Sequence, residues 1–191
     1  MLPELTVIMD DIVYRRARHE DYSGILRLQT ANYIANLSPQ ERAEGFLSAE
    51  FTPEQIAAIA EDLGIIVALE GENIAGYLCA FRNEFNHGSP VLAKMFESYE
   101  RLQFEEKPLS SYKTYVYGPV CIGRDYRKRG LLRGLYEAQK KDLAGRFEIG
   151  VAFVSRDNPN SLQAHIAGLR MKKLGDFQAK GNTYTVLAFS L

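Results

Sequence analysis

A cluster of positively charged side chains surrounds one glycine, Gly130, in the second half of the chain. The cluster consists of Arg124, Arg127, Lys128, Arg129 and Arg133. The apolar spacing that follows predicts a helix beginning near Gly130, and the first turn of a helix leaves several backbone N–H groups without partners. Such N–H groups, the positive end of the helix dipole and a glycine that permits close approach together make an anion site. A pyrophosphate suits this arrangement best.

Two common phosphate-binding motifs are absent. The chain has no G-x-x-x-x-G-K-[ST] sequence, which excludes a P-loop, and no G-x-G-x-x-G sequence, which excludes a Rossmann fingerprint. The alternative interpretation of the basic cluster is a solvated surface. Cations at the start of a helix oppose its dipole by roughly 0.3–1 kcal/mol each, so clustering them there favours a bound anion.

A strand, the basic loop and a helix must position this site. Residues 114–122 are rich in β-branched and aromatic types, which predicts a buried strand. Another strand is predicted at 147–154, and the sequence 158–161 then opens a helix that carries His165. The helix after the basic loop has apolar residues at helical spacing: Leu131, Leu132, Leu135, Ala138 and Leu143.

Alternation, helical spacing and capping signals mark further elements along the chain. In chain order they are a strand at 11–17, helices that begin at 21, 38 and 52, a hairpin over 65–81, a helix at 91–102, and closing strands at 171–179 and 183–191. This order predicts a mixed α/β sheet, of the α+β type, within a single domain that spans residues 1–191.

Composition and charge narrow the class of protein. The chain has 191 residues, of which 46% are hydrophobic and 25% charged, as in an ordinary globular domain. A net charge of −1 argues against nucleic acid or a membrane surface as a partner. We find neither a long apolar run nor a signal-like start, and Cys79 and Cys121 lie in apolar runs typical of reduced thiols, so we expect a cytoplasmic protein. We predict no metal site.

The segment around Gly130 resembles the signature of the GNAT superfamily of N-acetyltransferases, which use acetyl-coenzyme A. That signature is R/Q-x-x-G-x-G/A at the start of a helix that follows a central strand. The sequence Arg127-Lys128-Arg129-Gly130-Leu131-Leu132 matches its first two fixed positions and departs at the last. Leu132 stands where the family usually has glycine or alanine, which leaves less room beside the phosphates.

The resemblance extends over much of the chain. Residues 12–21 resemble the family's opening strand and turn, and residues 171–184 resemble its closing strands. Arg170 is a second departure, because a glycine commonly stands there. The family's N-x-x-A/S-x-x-x-Y/H spacing is matched by Asn158, Ser161 and His165.

The resemblance implies a fold and a cosubstrate. The fold would have a mixed, mostly antiparallel central sheet of about seven strands, a splayed strand pair and helices on both faces. The pantetheine arm of acetyl-CoA would lie in the gap and pair with the backbone of Val120, Cys121 and Ile122. The pyrophosphate would bind the N–H groups of Arg129, Gly130, Leu131, Leu132, Arg133 and Gly134. Phosphate contacts would come from Arg127 and Lys128 through charge-assisted hydrogen bonds.

The implied reaction is direct attack of a neutral primary amine on the thioester, with both substrates held in one cleft. The N–H of Ile122 would polarise the carbonyl. His165 fills a position where the family often has tyrosine and would protonate the leaving thiolate; the alternative is a packed helix residue. Asn158 would bind the cofactor arm or cap its helix.

The base that takes the proton of the amine is left open. The candidates are Glu84, His87, Tyr115, Tyr117 and a water molecule. Cys121 is conceivable as a nucleophile, although a buried thiol without a histidine partner is more often an inert small hydrophobe.

The expected acceptor is an amine of a small molecule or of a protein N-terminus. We expect residues 39–64 and 82–112 to form its walls, with acidic side chains of the second segment attracting a cationic amine. These are Glu97, Glu100, Glu105 and Glu106. The alternative functions are a non-catalytic acyl-CoA-binding sensor or scaffold and an RNA-phosphate patch, which the net charge disfavours. A homodimer is compatible with the enzyme and with the sensor.

Overall fold

The centre of the fold is a mixed sheet. The computed structural model describes residues 6–9, 11–85 and 88–191. The strands within them are β1 (Thr6–Met9), β2 (Ile12–Arg16), β3 (Gly64–Glu70), β4 (Asn73–Phe81), β5 (Gln103–Phe104), β6 (Lys107–Pro108), β7 (Thr114–Ile122), β8 (Ile149–Ser155), β9 (Lys172–Ala179) and β10 (Asn182–Ser190). Eight of these strands form one sheet in the order β1-β2-β3-β4-β7-β8-β10-β9, and β5 and β6 form a separate small hairpin.

The sheet confirms the predicted class. Its neighbouring strands run antiparallel, except β7 and β8, which are parallel. The first strand of the sequence prediction corresponds to β2. The additional strand is β1, which pairs with β2 at the edge of the sheet.

Helices cover both faces of the sheet, as predicted. They are α1 (Tyr22–Asn32), α2 (Pro39–Arg42), α3 (Pro53–Asp62), α4 (Pro90–Glu97), α5 (Leu131–Leu143) and α6 (Pro159–Gln163), and a π-helical turn, Ala164–Gly168, continues α6. The predicted capping box begins α3, since the Thr52 hydroxyl accepts from the N–H of Gln55 and the Gln55 side chain accepts from the N–H of Thr52. None of the helices in the described ranges combines the length and apolar character that crossing a membrane requires.

Two apolar layers hold these helices on the sheet. Ile25 of α1 and Ile59 of α3 are completely buried in the first layer, and Leu135 of α5 is completely buried in the second. The strand β3 contributes to both layers, because successive side chains of a strand face opposite ways: Val67 faces the first and Ile66 the second. Because β3 is buried on both faces, its sequence is a nearly continuous run of apolar residues.

The parallel strands β7 and β8 separate after a short paired segment. They pair from Thr114 with Ile149 to Val116 with Val151, and β7 continues to Ile122 without β8 as a partner. A bulge at Gly118 and Pro119 interrupts the ladder between β7 and β4 just beyond this point. Gly118 has φ 109°, which a side chain would strain. The predicted splayed strand pair is thus confirmed, and a cleft opens between the carboxyl ends of β7 and β8.

The connection after β4 departs from the sequence prediction. The helix expected at 91–102 ends at Glu97, and the Ser98 hydroxyl donates to the carbonyl of Met95. Tyr99 and Leu102 are buried in turns that lead into the β5–β6 hairpin. Because Tyr99 and Leu102 are buried in these turns, the apolar spacing of the sequence continues past the residue at which the helix ends.

Candidate functional site

The cleft between β7 and β8 contains two adjoining cavities. The lower cavity, of about 220 Å³, lies beside the start of α5, where Lys128 and Leu132 line it. The upper cavity, of about 160 Å³, is lined by Leu92 of α4, Tyr117 of β7 and Phe153 of β8. Among the described residues, those that line both cavities are Phe46, Leu47, Val120, Asn158, Ser161 and His165. We call this shared region the junction.

The backbone of β7 faces the cleft at alternate residues. The N–H of Gly123 donates to the carbonyl of Ala75 on β4 at 2.8 Å, which identifies the alternate residues of β7 that form hydrogen bonds with β4. Because such bonds alternate along antiparallel strands, Cys121 also directs its N–H and C=O at β4. Val120 and Ile122 direct theirs into the cleft. The structure thus corrects the expectation for Cys121, whose backbone belongs to the sheet although the residue borders the lower cavity.

The start of α5 has backbone amides without a protein partner beside the lower cavity. Gly130 precedes the helix with φ 84°, a left-handed conformation that favours glycine. A Cβ at this position would contact nothing within 4 Å, so backbone conformation and not crowding requires the glycine. In the part of the chain that the structure describes, the predicted amides from Arg129 to Arg133 donate no hydrogen bond. These groups remain available to an anion.

The last predicted amide, that of Gly134, is not available. Its N–H donates to the carbonyl of Gly130 at 3.2 Å and so begins the hydrogen bonding of α5. A Cβ on Gly134 would lie 2.2 Å from the ring of Tyr14 on β2. Gly134 therefore permits close packing of helix on sheet, which corrects its expected role as a phosphate ligand.

Arg127 points into the protein and holds neighbouring segments together. One terminal nitrogen donates to Asn32 Oδ1 at 2.8 Å, and the other lies 3.3 Å from the Glu44 carbonyl and 3.4 Å from its carboxylate. Its Nε lies 3.4 Å from the carbonyl of Ile122. These contacts give Arg127 a structural role beside the lower cavity, which it also lines, and its direct phosphate contact stays a prediction.

The other arginines of the cluster also have partners. Arg124 pairs with Glu41 at 2.8 Å, Arg129 pairs with Glu70 at 3.0 Å, and Arg133 donates to the carbonyl of Gly168. Lys128, in contrast, is exposed, borders the lower cavity and has no partner within the described ranges. Lys128 is thus the cation of the cluster that remains free for a phosphate.

His165 is buried at the junction with a defined tautomer. Its side chain is 3% exposed, and its Nδ1 lies 2.7 Å from the carbonyl of Ser161. A carbonyl only accepts, so Nδ1 carries the proton and the lone pair resides on Nε2, for which the described residues offer no partner. Burial lowers the pKa of His165, and the hydrogen bond to Ser161 opposes this only in part. The resting imidazole is therefore neutral and can accept a proton at Nε2.

Asn158 and Ser161 build the turn that holds His165. The Asn158 side chain accepts from the N–H of Ser161 at 3.4 Å, which caps α6, and donates to the carbonyl of Phe46 at 3.0 Å. Asn158 thus caps α6, and its contact with the cofactor arm stays a prediction. The Ser161 hydroxyl lies 3.4 Å from His165 Nδ1.

Solved structures resemble the chain over nearly its whole length. An acetyltransferase of the GNAT family from Streptococcus agalactiae aligns with a TM-score of 0.66 and 14% identity, covering 97% of this chain and 98% of the other. A ribosomal-protein-alanine N-acetyltransferase from Brucella melitensis aligns with a TM-score of 0.60 and 14% identity, covering 93% and 99%. The chain has the GNAT fold.

The same GNAT fold occurs in a protein whose structure includes the coenzyme. The Salmonella typhimurium protein yncA, solved with its cofactor acetyl-CoA, aligns with a TM-score of 0.59 and 15% identity, covering 95% of each chain. No model of a protein family and no curated protein matches the chain by sequence.

The candidate bases occupy different parts of this GNAT fold. Tyr117 lines the upper cavity, its ring centre lies 5.6 Å from that of His165, and its buried hydroxyl has no partner among the described groups. Burial raises the pKa of Tyr117, so the hydroxyl stays protonated. Tyr115 donates to Gln139 in the core and Glu84 is exposed; neither lines a cavity. His87 lies outside the described residues.

Cys121 is not suited to be a nucleophile. Burial raises the pKa of its thiol to about 12, and the positive charge of Arg127 lowers it only in part. The thiol therefore stays protonated near neutral pH, and thiolate is the reactive form. The inert alternative for Cys121 is the one that this environment favours.

Residues 39–64 and 82–112, the segments expected to form the walls of the acceptor site, both contribute to the lining of the upper cavity. Residues 46–49 and Phe51 come from the first, and Ser89 and Leu92 come from the second. The acidic residues expected to attract a cation line neither cavity; they are Glu97, Glu100, Glu105 and Glu106.

Sequence reasoning missed several residues of the cleft, notably Asn32 on α1, Phe46 in the loop before α3 and Phe153 on β8. The alternation of β8 is the signal that could have pointed to Phe153. Phe46 had no comparable signal, because it lies in an irregular loop.

Proposed function

We propose that the protein is an N-acetyltransferase that moves the acetyl group of acetyl-CoA to a primary amine in a ternary complex. The observation that carries this proposal is one continuous arrangement: free helix amides at one end of the cleft, free strand backbone along it, and a buried imidazole at the junction. The GNAT fold supports the proposal, as does the acetyl-CoA held by yncA.

The residues along the cleft would hold the coenzyme from its pyrophosphate to its thioester. The amides of Leu131, Leu132 and Arg133 and the charge of Lys128 suit the pyrophosphate. The backbone groups of Val120 and Ile122 suit the amides of the pantetheine arm. The thioester would then lie at the junction, which leaves the upper cavity for the acceptor.

The N–H of Val120 is better placed than that of Ile122 to polarise the thioester carbonyl. Val120 lines both cavities, whereas Ile122 lines the lower one, toward the phosphates. A backbone donor that is already oriented costs no reorganisation when negative charge develops on the carbonyl oxygen. We therefore assign this role to Val120 and retain Ile122 for the pantetheine arm.

We assign His165 a proton-accepting role in the first step and the originally expected donor role in the second. The amine nitrogen forms a bond to the acetyl carbon, and its proton moves to Nε2 of His165. When the bond between carbon and sulfur breaks, the same proton passes to the thiolate, so the imidazole returns to its neutral form. The neutral resting state and the free Nε2 support this order.

A non-catalytic sensor of acyl-CoA remains the second candidate. The observation that favours it is the pairing of Arg124, Arg127 and Arg129 with carboxylates, which leaves one unpaired cation for the phosphates among the described cluster residues.

Two measurements on the purified protein separate the two functions. Calorimetry measures binding of CoA, and release of free thiol from acetyl-CoA is followed with a panel of primary amines. Binding together with amine-dependent thiol release supports the transferase. Binding without release from any amine supports the sensor, and absence of binding contradicts both.

A further inference from the structure

The upper cavity is apolar and lacks charged side chains. None of its described lining residues is Asp, Glu, Lys or Arg. Its aromatic lining residues are Phe46, Phe51, Phe81, Phe153 and Tyr117. The polar side chains on its lining are uncharged, and the Nε2 of His165 is the one at the junction that has no partner among the described residues.

The size of the upper cavity matches one aromatic ring. Its volume is about 160 Å³. An engineered apolar cavity of roughly 150 Å³ in another protein stays dry and binds benzene, which shows that this volume accommodates a six-membered ring. The elongated chain of a polyamine would extend beyond such a space.

The charge of the acceptor is constrained by the same lining. Moving an ammonium group from water into an apolar site without a carboxylate is strongly unfavourable. A neutral amine carries two N–H donors and one lone pair. The Nε2 of His165 can accept one N–H, which leaves the lone pair of the amine free to attack.

We propose that the acceptor is a small primary monoamine carrying one aromatic ring, with its nitrogen beside His165 and its ring in the upper cavity. This inference rests on the proposed transferase function. It replaces the cationic amine expected from the acidic residues of the 82–112 segment, because those residues lie away from the cavity.

The first test compares acceptors at saturating acetyl-CoA. We expect kcat/KM for 2-phenylethylamine to exceed that for spermidine or n-propylamine by at least about tenfold, because burial of a phenyl ring is worth more than one tenfold step in affinity. A preference for spermidine, or for a peptide with an apolar N-terminal residue, overturns the proposal. A preference for benzoyl-CoA over acetyl-CoA as donor also overturns it, since the ring would then belong to the acyl group.

A matched pair of variants tests the charge argument. Ala49 is exposed and lines the upper cavity, so Ala49→Asp places a carboxylate at its wall without disturbing the core. We expect this variant to shift the ratio of kcat/KM for cadaverine over 2-phenylethylamine upward by about tenfold. Ala35→Asp adds the same charge at an exposed position that lines neither cavity and should leave the ratio unchanged. Equal ratios in both variants contradict the proposal.

Calorimetry of 2-phenylethylamine with the CoA-saturated protein separates this proposal from the proposed function. Binding of the amine without turnover of acetyl-CoA contradicts the transferase but supports the aromatic specificity of the cavity. Turnover of other amines without binding or turnover of this one supports the transferase and overturns the specificity. Absence of both binding and turnover overturns both.

Discussion

Reversing the charge of Lys128 tests the phosphate end of the cleft. Two unit charges about 4 Å apart interact by about 1 kcal/mol in water and by more where the protein excludes solvent. Lys128 is exposed, so the lower value applies. Lys128→Glu replaces about 1 kcal/mol of attraction with a similar repulsion, and the resulting loss of about 2 kcal/mol corresponds to a Kd for CoA raised about 30-fold.

The matched control for this variant is Lys180→Glu. Lys180 is also an exposed lysine with positive φ, 48° against 62° for Lys128, but it lies in the turn between β9 and β10. Calorimetry with CoA should give a Kd within about twofold of the wild type for the control, because Lys180 lines neither cavity of the cleft. The difference between the variants should shrink at high salt. Unchanged affinity in Lys128→Glu, or equal losses in both variants, would refute the assignment of the phosphate site.

The remaining predictions concern proton transfer, packing and the thiol. The value of kcat should fall as the pH drops through the lowered pKa of His165, because the protonated ring cannot accept a proton from the amine. His165→Phe should remove this dependence on acid pH, and a kcat that rises as the pH drops would contradict the proton-accepting role of His165. Gly134→Ala should cost about 1–3 kcal/mol in chemical denaturation through its clash with Tyr14, whereas Gly168→Ala, whose Cβ meets nothing within 4 Å, should cost less than about 1 kcal/mol. Cys121 should resist alkylation at pH 8 until the protein unfolds, and rapid labelling of the native protein would show an accessible thiol.

Features encoded by neighbouring residues could be predicted from the sequence. The strand expected at 114–122 coincides with β7, and the capping box of Thr52 and Gln55 begins α3. Gly130 adopts the left-handed conformation that makes glycine useful before a helix. Each depends on local spacing or local backbone conformation, which a single sequence displays directly.

Features that depend on distant residues could not be predicted. The partners of the arginine cluster come from far along the chain; Glu41 pairs with Arg124 and Glu70 pairs with Arg129. These two carboxylates neutralise the positive charges of Arg124 and Arg129, so the basic cluster is less positive than its sequence indicates.

The sequence also could not predict which residues of β7 direct their backbone N–H and C=O groups into the cleft. Which of its residues face the cleft depends on the register with β4 and on the bulge at Gly118 and Pro119. A shift of one residue exchanges the groups that face the cleft with those that face β4. For that reason Val120 and Ile122 could not be distinguished from Cys121 before the pairing was known.

Whether the coenzyme occupies the cleft is tested most directly by titrating ¹⁵N-labelled protein with CoA and following the backbone amides by NMR. We expect the amides of Leu131, Leu132 and Arg133 to shift most, together with those of Val120 and Ile122. If these amides remain unchanged while CoA binds, or if the largest shifts lie at the β5–β6 hairpin, the coenzyme does not occupy the cleft.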